Sequence, residues 1–220
     1  MPRMRFAKTG NAVWISHLDL MRALQRSFRR AGIPLKHSQG FTPHPLLSIA
    51  MPLSVGVSSE YEIADFELEN GAEVNLAQLP QRLNSVLPKG IEVIDCYENV
   101  QKLKQLKWLK ARLDLLYDAG VPDGCADALR CLFASKSLVV EKHGKNGPVT
   151  VDIAPMISAL EIAQTAETVI SVTATVSAQN PTLNPLLLLT AIETQLPALR
   201  PSFSRCTRLT LYASEMQAFY

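Results

Sequence analysis

The sequence lacks the features that mark several classes of protein. No apolar run reaches the roughly 18 residues of a membrane span, and the charged start M-P-R-M-R-F leads to K-T-G-N rather than to the apolar core of a signal peptide. The four cysteines are dispersed without a C-x-x-C pair, which argues against a zinc ribbon, an iron–sulfur protein or a dense disulfide framework. We therefore expect a cytoplasmic protein with free, buried thiols.

Common catalytic motifs are also missing. There is no P-loop, no dinucleotide-binding glycine motif, no H-E-x-x-H and no serine–histidine–acid spacing. Asp65, Glu67 and Glu69 resemble a carboxylate row, but they alternate with apolar residues in a predicted strand over 61–68. This alternation indicates the solvent-facing side of a sheet rather than a metal site. The sequence therefore predicts no metal and no cofactor.

Acidic residues are scarce in the first quarter of the chain. Residues 1–58 contain eight Lys or Arg and a single acid, Asp19, a net charge of +7. The remaining residues contain 14 basic and 19 acidic side chains, a net charge of −5. This segregation predicts a localised positive field, so a face that binds a polyanion would belong to the N-terminal quarter.

Within that quarter, residues 16–31 have the pattern of one amphipathic helix. Ser16 is a helix-capping residue type, and Gly32 followed by Pro34 is a stop signal. At about 100° per residue, five apolar side chains share one side of the helix: Leu20, Met21, Leu24, Phe28 and Ala31. Four arginines share the opposite side: Arg22, Arg26, Arg29 and Arg30. Because planar guanidinium groups suit phosphate oxygens, these arginines predict a phosphate-binding face, and a merely solvated face is the alternative.

The segment Q-G-F-T-P-H-P over 39–45 is an unusual loop. Its prolines exclude a helix and stiffen the presentation of His44, and Gly40 permits a positive φ. Phe41 is an aromatic in a loop beside basic groups, where it can stack on an unpaired base, and Gln39 can read a base edge. The alternative is a packed turn in which Phe41 covers the edge of the sheet.

The order of predicted elements is β-α-β-β-α-β over residues 1–100, with strands over 46–53 and 61–68 and a second helix over 76–87. Residues 101–220 repeat a similar order. In this half the basic stretch over 102–110 is predicted as a connector, and the turn residues H-G-K-N-G predict a hairpin between the segments on either side. We therefore expect an α+β protein of two ferredoxin-like halves, with antiparallel sheets and the helices on one face. The first half would carry the basic helix and the Q-G-F-T-P-H-P loop.

Three segments also resemble a known family. K-T-G-N-A-V-W-I-S-H-L-D-L with the following helix, S-Q-G-F-T-P-H-P and P-L-S-V-G-V-S-S-E-Y are similar to the radical-SAM-linked domain of unknown function, densely over 5–68. V-D-I-A-P at 151–155 resembles a weaker C-terminal signature. The resemblance implies a partner that is a radical S-adenosylmethionine protein. The chain itself has no C-x-x-x-C-x-x-C motif and cannot be that enzyme.

These observations favour a non-catalytic module that binds RNA, such as tRNA or rRNA, or presents it to a radical SAM partner that modifies RNA. Five basic side chains are the predicted phosphate contacts: Lys8, Arg22, Arg26, Arg29 and Arg30. Gln39, Phe41 and His44 are the predicted contacts to a base.

Two alternatives stay open on the sequence. The first is a metal-independent endoribonuclease in which His17 is the general base and His44 the acid, by analogy with ferredoxin-like RNases that process CRISPR repeats. The second is a protein adaptor whose arginine face docks on an acidic surface of the partner.

Overall fold

The computed structural model describes residues 1–70, 72, 74–144 and 147–220, and for His143 and Glu215 it describes the backbone only. It is an α+β protein with antiparallel sheets and four α-helices in the described residues, which confirms the predicted class. The chain divides into two compact units, Met1–Leu103 with Tyr220, and Lys104–Phe219.

The first unit is a small antiparallel sheet with two helices. Its strands are β1 (Pro2–Lys8), β2 (Leu47–Ile49), β3 (Ser58–Phe66) and β4 (Ile91–Glu98). Its helices are α1 (His17–Arg30) and α2 (Leu79–Asn84). The strands lie in the order β4-β1-β3-β2, and each neighbouring pair is antiparallel. The first unit therefore places β1 between β3 and β4.

Helix α1 begins and ends where the sequence predicts. The Ser16 side chain accepts a hydrogen bond from the backbone N–H of Asp19, which caps the helix. At the other end Gly32 adopts φ +66°, and the N–H of Ile33 donates to the carbonyl of Phe28 at 2.9 Å. The N–H of Gly32 also donates to Arg29, so the two bonds form a Schellman motif that fixes the end of the helix.

The apolar side of α1 supplies much of the core of the first unit. Leu20, Leu24 and Phe28 are buried as predicted, and Phe28 packs on Phe66 of β3 with the ring centroids 5.1 Å apart. From α2, Arg82 donates to the carbonyl of Ala31 at 2.8 Å, where its charge also faces the negative end of the α1 dipole. Packing and this bond hold α1 in a fixed orientation.

Strand β3 corrects one prediction. The alternation over 61–68 predicted a solvent-facing side, but Glu62 and Asp65 are buried, with 1% and 6% of their surfaces exposed. Asp65 pairs with the buried guanidinium of Arg3 on β1. Alternation alone could not reveal the burial of Asp65, because its charge is paired with a cation 62 positions away in the sequence. Two further elements are shorter than predicted: the strand expected over 46–53 is β2 alone, and the helix expected over 76–87 is a 3₁₀ turn followed by α2.

The second unit has one four-stranded sheet, a separate hairpin and two helices. The sheet strands are β5 (Leu106–Leu116), β8 (Ile157–Ala166), β9 (Val169–Ser177) and β10 (Phe203–Ala213). The hairpin strands are β6 (Val139–Gly144) and β7 (Gly147–Asp152), and the helices are α3 (Cys125–Phe133) and α4 (Leu186–Gln195). The sheet order is β10-β5-β9-β8, with all neighbouring pairs antiparallel.

The predicted hairpin on either side of H-G-K-N-G is confirmed as the pair β6 and β7, although Lys145 and Asn146 lie outside the described residues. The lysine-rich stretch over 102–110, predicted as a connector, instead enters β5 at Leu106. Of the cysteines, Cys96, Cys125 and Cys206 are buried thiols as expected, whereas Cys131 is exposed.

No helix in the described parts of the chain has the length and apolar character needed to cross a membrane.

Candidate nucleic-acid interface

A cleft of about 620 Å³ lies in the first unit between α1 and the segment that follows it. Arg22, Arg26 and Arg29 line it from the polar side of the helix. His37, Pro43 and Pro45 line it from the loop segment, and Ile33 and Leu35 form part of its apolar lining. The structure therefore brings three predicted phosphate contacts together with the segment that contains the Q-G-F-T-P-H-P loop.

The three cleft arginines differ in how far they are neutralised. Arg22 forms an ion pair with Asp19 at 3.0 Å, in which both side chains are more than half exposed. The hydrogen bond from Ser16, and then that from Arg22, hold the pKa of Asp19 below its usual value. Within the described residues, Arg26 and Arg29 have neither a hydrogen bond nor an ion pair, and both are exposed. Two guanidinium groups are thus available to an external anion.

Arg30 is exposed, but its guanidinium group forms hydrogen bonds within the protein. Its Nη2 donates to the carbonyl of Val86 at 2.5 Å and lies 3.4 Å from the hydroxyl of Ser27. It does not line the cleft. We therefore describe Arg22, Arg26 and Arg29 as the arginine face and leave Arg30 outside it.

Lys8 requires a correction. Its side chain is buried, and its ammonium donates to the carbonyls of Val13 and Ile15, each at 3.2 Å. Burial lowers the pKa of Lys8, and the charge of Glu62 partly opposes that effect. Lys8 therefore fixes the segment before α1 and does not present a charge to a ligand. The sequence could not show this, because the two acceptors converge only when residues 10–14 form a 3₁₀ turn.

Hydrogen bonds close the base of the Q-G-F-T-P-H-P loop. The N–H of Ser38 donates to the carbonyl of His44 at 2.9 Å, and the N–H of His44 donates to the hydroxyl of Ser38 at 3.2 Å. The same hydroxyl lies 2.9 Å from Nδ1 of His44. Outside this pair, the N–H of Leu46 donates to Lys36, whose own N–H donates to Glu67. The loop is therefore anchored to the chain that leaves β3.

Gln39 and Phe41 at the tip of the loop are exposed, and so is His44 at its base. The Phe41 side chain is as accessible as in an unfolded peptide, with a relative exposure of 109%. The alternative prediction, that Phe41 covers the edge of the sheet, is therefore wrong. Gly40 has φ +132°, a conformation that glycine tolerates and that turns the chain immediately before the aromatic.

Neither of the two histidines predicted for the endoribonuclease alternative lines the cleft. His17 is the first residue of α1 and half-buried, and its Nδ1 is buried without a hydrogen-bond partner among the described residues. His44 is exposed and its ring contacts Ser38. Their roles as base and acid stay a prediction.

Sequence reasoning missed Gln25, His37 and Glu69, which also line the cleft. Gln25 lies among the arginines on α1, so the helical periodicity could have found it. Glu69 lies beyond β3, and nothing in the sequence indicates that it returns to α1. Among the residues that the structure describes, no three His, Cys, Asp or Glu side chains are grouped so that they could hold a metal ion.

A family model matches residues 2–185, and the chain belongs to that family, described as "Uncharacterized protein conserved in bacteria (DUF2344)". None of the curated proteins compared with the chain matches it.

Solved structures of low sequence identity resemble the chain over most of its length. The crystal structure of a Cbf5-Nop10-Gar1 complex has 11% identity and a TM-score of 0.49, and the match covers 96% of this chain and 48% of that one. The archaeal box H/ACA sRNP Nop10-Cbf5 complex has 13% identity and a TM-score of 0.42, with coverages of 94% and 46%. An unknown protein from Galdieria sulphuraria has 10% identity and a TM-score of 0.25, with coverages of 94% and 95%. The chain spans about half the length of the first two.

Proposed function

We propose that this protein is a cytoplasmic RNA-binding module whose arginine face contacts the phosphates of a tRNA or rRNA. One observation carries the proposal: Arg26 and Arg29 are exposed at a cleft, and neither has a hydrogen bond or an ion pair with any described residue. Exposed arginines near acids are commonly part of solvated surface pairs, whereas free guanidinium groups in a row suit phosphate oxygens.

The distribution of charge supports the same proposal. The net charge of +7 in residues 1–58 is largely offset within the first unit, because residues 59–103 carry three basic and nine acidic side chains. The excess of positive charge therefore belongs to the segment that contains α1 and the loop, and not to the unit as a whole. Asp19, the single acid of residues 1–58, is already paired with Arg22. Glu69 also lines the cleft, and among the described residues Arg26 and Arg29 are the members of the arginine face that have no ion pair.

We further propose that each unit is a ferredoxin-like half, corresponding to the halves predicted at 1–100 and 101–220. The strand order supports this proposal. The strands of the first unit, numbered 1 to 4 along the chain, lie in the order 4-1-3-2. The sheet of the second unit has the same order if β5, β8, β9 and β10 are numbered 1 to 4, with the β6–β7 hairpin inserted after the first helix. Both orders fit a β-α-β-β-α-β chain with antiparallel neighbours.

The proposed partner is a radical SAM protein that modifies the bound RNA. This part rests on the resemblance of residues 5–68 to the radical-SAM-linked domain, and the module would present RNA without catalysing the reaction. We do not extend the proposal to RNA cleavage, because the cleft is lined by neither His17 nor His44.

The salt dependence of RNA binding tests the proposal. Each phosphate contact to a single strand contributes about 0.7 to the slope of log affinity against log salt, so Arg26→Gln with Arg29→Gln should lower the slope by about 1.4. The matched control is Arg130→Gln with Arg200→Gln. These two arginines lie in the second unit, and each is paired with a carboxylate. The control loses the same charge and should keep the wild-type slope.

Fluorescence anisotropy with labelled tRNA and rRNA fragments gives the slopes. Equal slopes for the two double variants would contradict the arginine face as the phosphate site. If wild-type protein bound no RNA but captured a radical SAM protein, and added RNA failed to compete, the protein adaptor would be the correct assignment.

A further inference from the structure

We infer that Phe41 stacks on an unpaired base, so that the ligand of the cleft is a single-stranded segment of RNA rather than a duplex. The inference rests on the proposed function and names its substrate class. Its starting observation is the complete exposure of a phenylalanine at the tip of a closed loop. A ring in this position contributes nothing to the core, and its large apolar face is available to a ligand.

The loop presents the ring at a low entropic cost. The three Ser38–His44 contacts close its base, and Pro43 and Pro45 restrict the backbone that follows Phe41. Further out, the bridge between His37 and Pro45 keeps the two ends of the loop adjacent. A ligand that stacks on Phe41 therefore has little backbone to order, which favours binding.

The ring also lies near the arginine face along the chain. Pro43, two residues after Phe41, lines the same cleft as Arg26 and Arg29. Two residues of extended chain span at most about 7 Å, so Phe41 is within the reach of a nucleotide whose phosphate lies in the cleft. A strand that follows the cleft can thus place a phosphate on the arginines and a base on the ring.

Stacking on Phe41 requires a base with a free face. In a duplex, both faces of each base are covered by neighbouring pairs, whereas an unpaired base in a loop or at an end can be splayed onto an aromatic side chain. The loop gives no sign of an apolar protein contact instead. Gln39, Gly40, Thr42 and His44 surround the ring in sequence and are exposed. An apolar anchor in a protein interface is instead typically surrounded by packed neighbours that exclude water.

Binding of one RNA oligonucleotide in two forms tests the inference. Fluorescence anisotropy measures the affinity of wild type, Phe41→Ala and Phe41→Trp for the labelled single strand and for the same strand annealed to its complement. Phe41→Ala should weaken single-strand binding roughly 5- to 150-fold, the value of one base–aromatic stack, and should leave the salt slope unchanged. Phe41→Trp keeps an aromatic ring at this position and should bind the single strand about as tightly as wild type does. Phe203→Ala is the matched control, because Phe203 is an exposed phenylalanine of the second unit.

The outcomes separate this inference from the proposed function. Weaker single-strand binding by Phe41→Ala, with duplex affinity unchanged, supports stacking. Stacking is overturned if Phe41→Ala binds the single strand as tightly as wild type does and neither protein distinguishes the single strand from the duplex. The arginine face is retained in that case if the salt slope is still reduced in the Arg26→Gln, Arg29→Gln variant. Absence of salt-dependent binding to either form overturns both. Thermal melts identify any variant that fails to fold. If Phe41→Ala fails to fold, Phe41→Tyr is measured in its place. Phe41→Tyr should bind the single strand with wild-type affinity, and a loss of affinity would overturn stacking.

Discussion

Arg3 and Asp65 form a two-pronged ion pair between the paired strands β1 and β3. Nε of Arg3 lies 2.6 Å from Oδ1 of Asp65, and Nη2 lies 3.0 Å from Oδ2. The third nitrogen, Nη1, donates to the carbonyl of Tyr220 at 3.1 Å. Both side chains are buried, so the pair supplies part of the interactions that water would otherwise give to each charge.

We therefore predict that Asp65→Asn lowers the free energy of unfolding by about 3–5 kcal/mol, because it removes the carboxylate that is paired with a buried guanidinium. Urea denaturation measures the change. Glu92→Gln on the exposed side of β4 is the control and should shift stability by no more than about 0.5 kcal/mol. Similar stabilities for the two variants would show that the pair contributes little.

Lys8→Met tests the structural role of that lysine. The variant loses two charge-assisted hydrogen bonds, although the carbonyl of Val13 keeps a bond from the N–H of Gly56. We expect the free energy of unfolding to fall by about 1.5–3 kcal/mol, and the salt slope of RNA binding to stay at the wild-type value. Lys89→Met, at an exposed position, is the control. A reduced slope in Lys8→Met alone would return Lys8 to the phosphate contacts.

The stability of α1 should depend on acid pH through Asp19. Its pKa is lowered from 3.8 by the Ser16 hydrogen bond and then by Arg22, so the folded state favours the ionised carboxylate. The associated stabilisation is complete above the ordinary pKa and is lost as the pH falls through the lowered value. Melting temperatures of wild type and Asp19→Asn should therefore differ near neutral pH and converge in acid. A constant difference across this range would exclude the linkage.

Thiol reactivity should distinguish the exposed cysteine from the buried ones. Burial raises the pKa of Cys96 to about 12 and that of Cys206 to about 11, so neither forms much thiolate near neutral pH. Cys131 is exposed on α3. We expect a single rapid reaction with a thiol-specific reagent, which Cys131→Ser abolishes. Peptide mass spectrometry identifies the modified residue, and rapid labelling of Cys96 would disagree with its burial.

The sequence was informative where the determinants are local. The cap at Ser16, the glycine stop at Gly32 and the periodicity between them predicted α1 to within a residue of each end. The same periodicity separated the buried Leu24 from the exposed Arg26. These features depend on neighbours within one or two helical turns, so the chain displays them directly.

Predictions failed where the partner of a residue is distant in sequence. Asp65 had the pattern of an exposed acid until Arg3 was found beside it, and Lys8 had the pattern of a ligand contact until it was found bound to Val13 and Ile15. The cleft forms because the segments that contain His37, Pro43, Pro45 and Glu69 pack beside α1. The periodicity of α1 does not predict which later segments pack against it. A buried charge is visible only once its counterpart is placed.

Helix α1 places Leu20, Leu24 and Phe28 in the interior and Arg22, Arg26 and Arg29 at the cleft. Adding or deleting one residue would rotate every later side chain by about 100°, exchanging part of one set for the other. Folding and ligand recognition are therefore locked to a single helical phase. Ligand specificity can therefore change by substitution at the arginine positions. An insertion or deletion within α1 would disrupt the buried side of the helix as well as the arginine face.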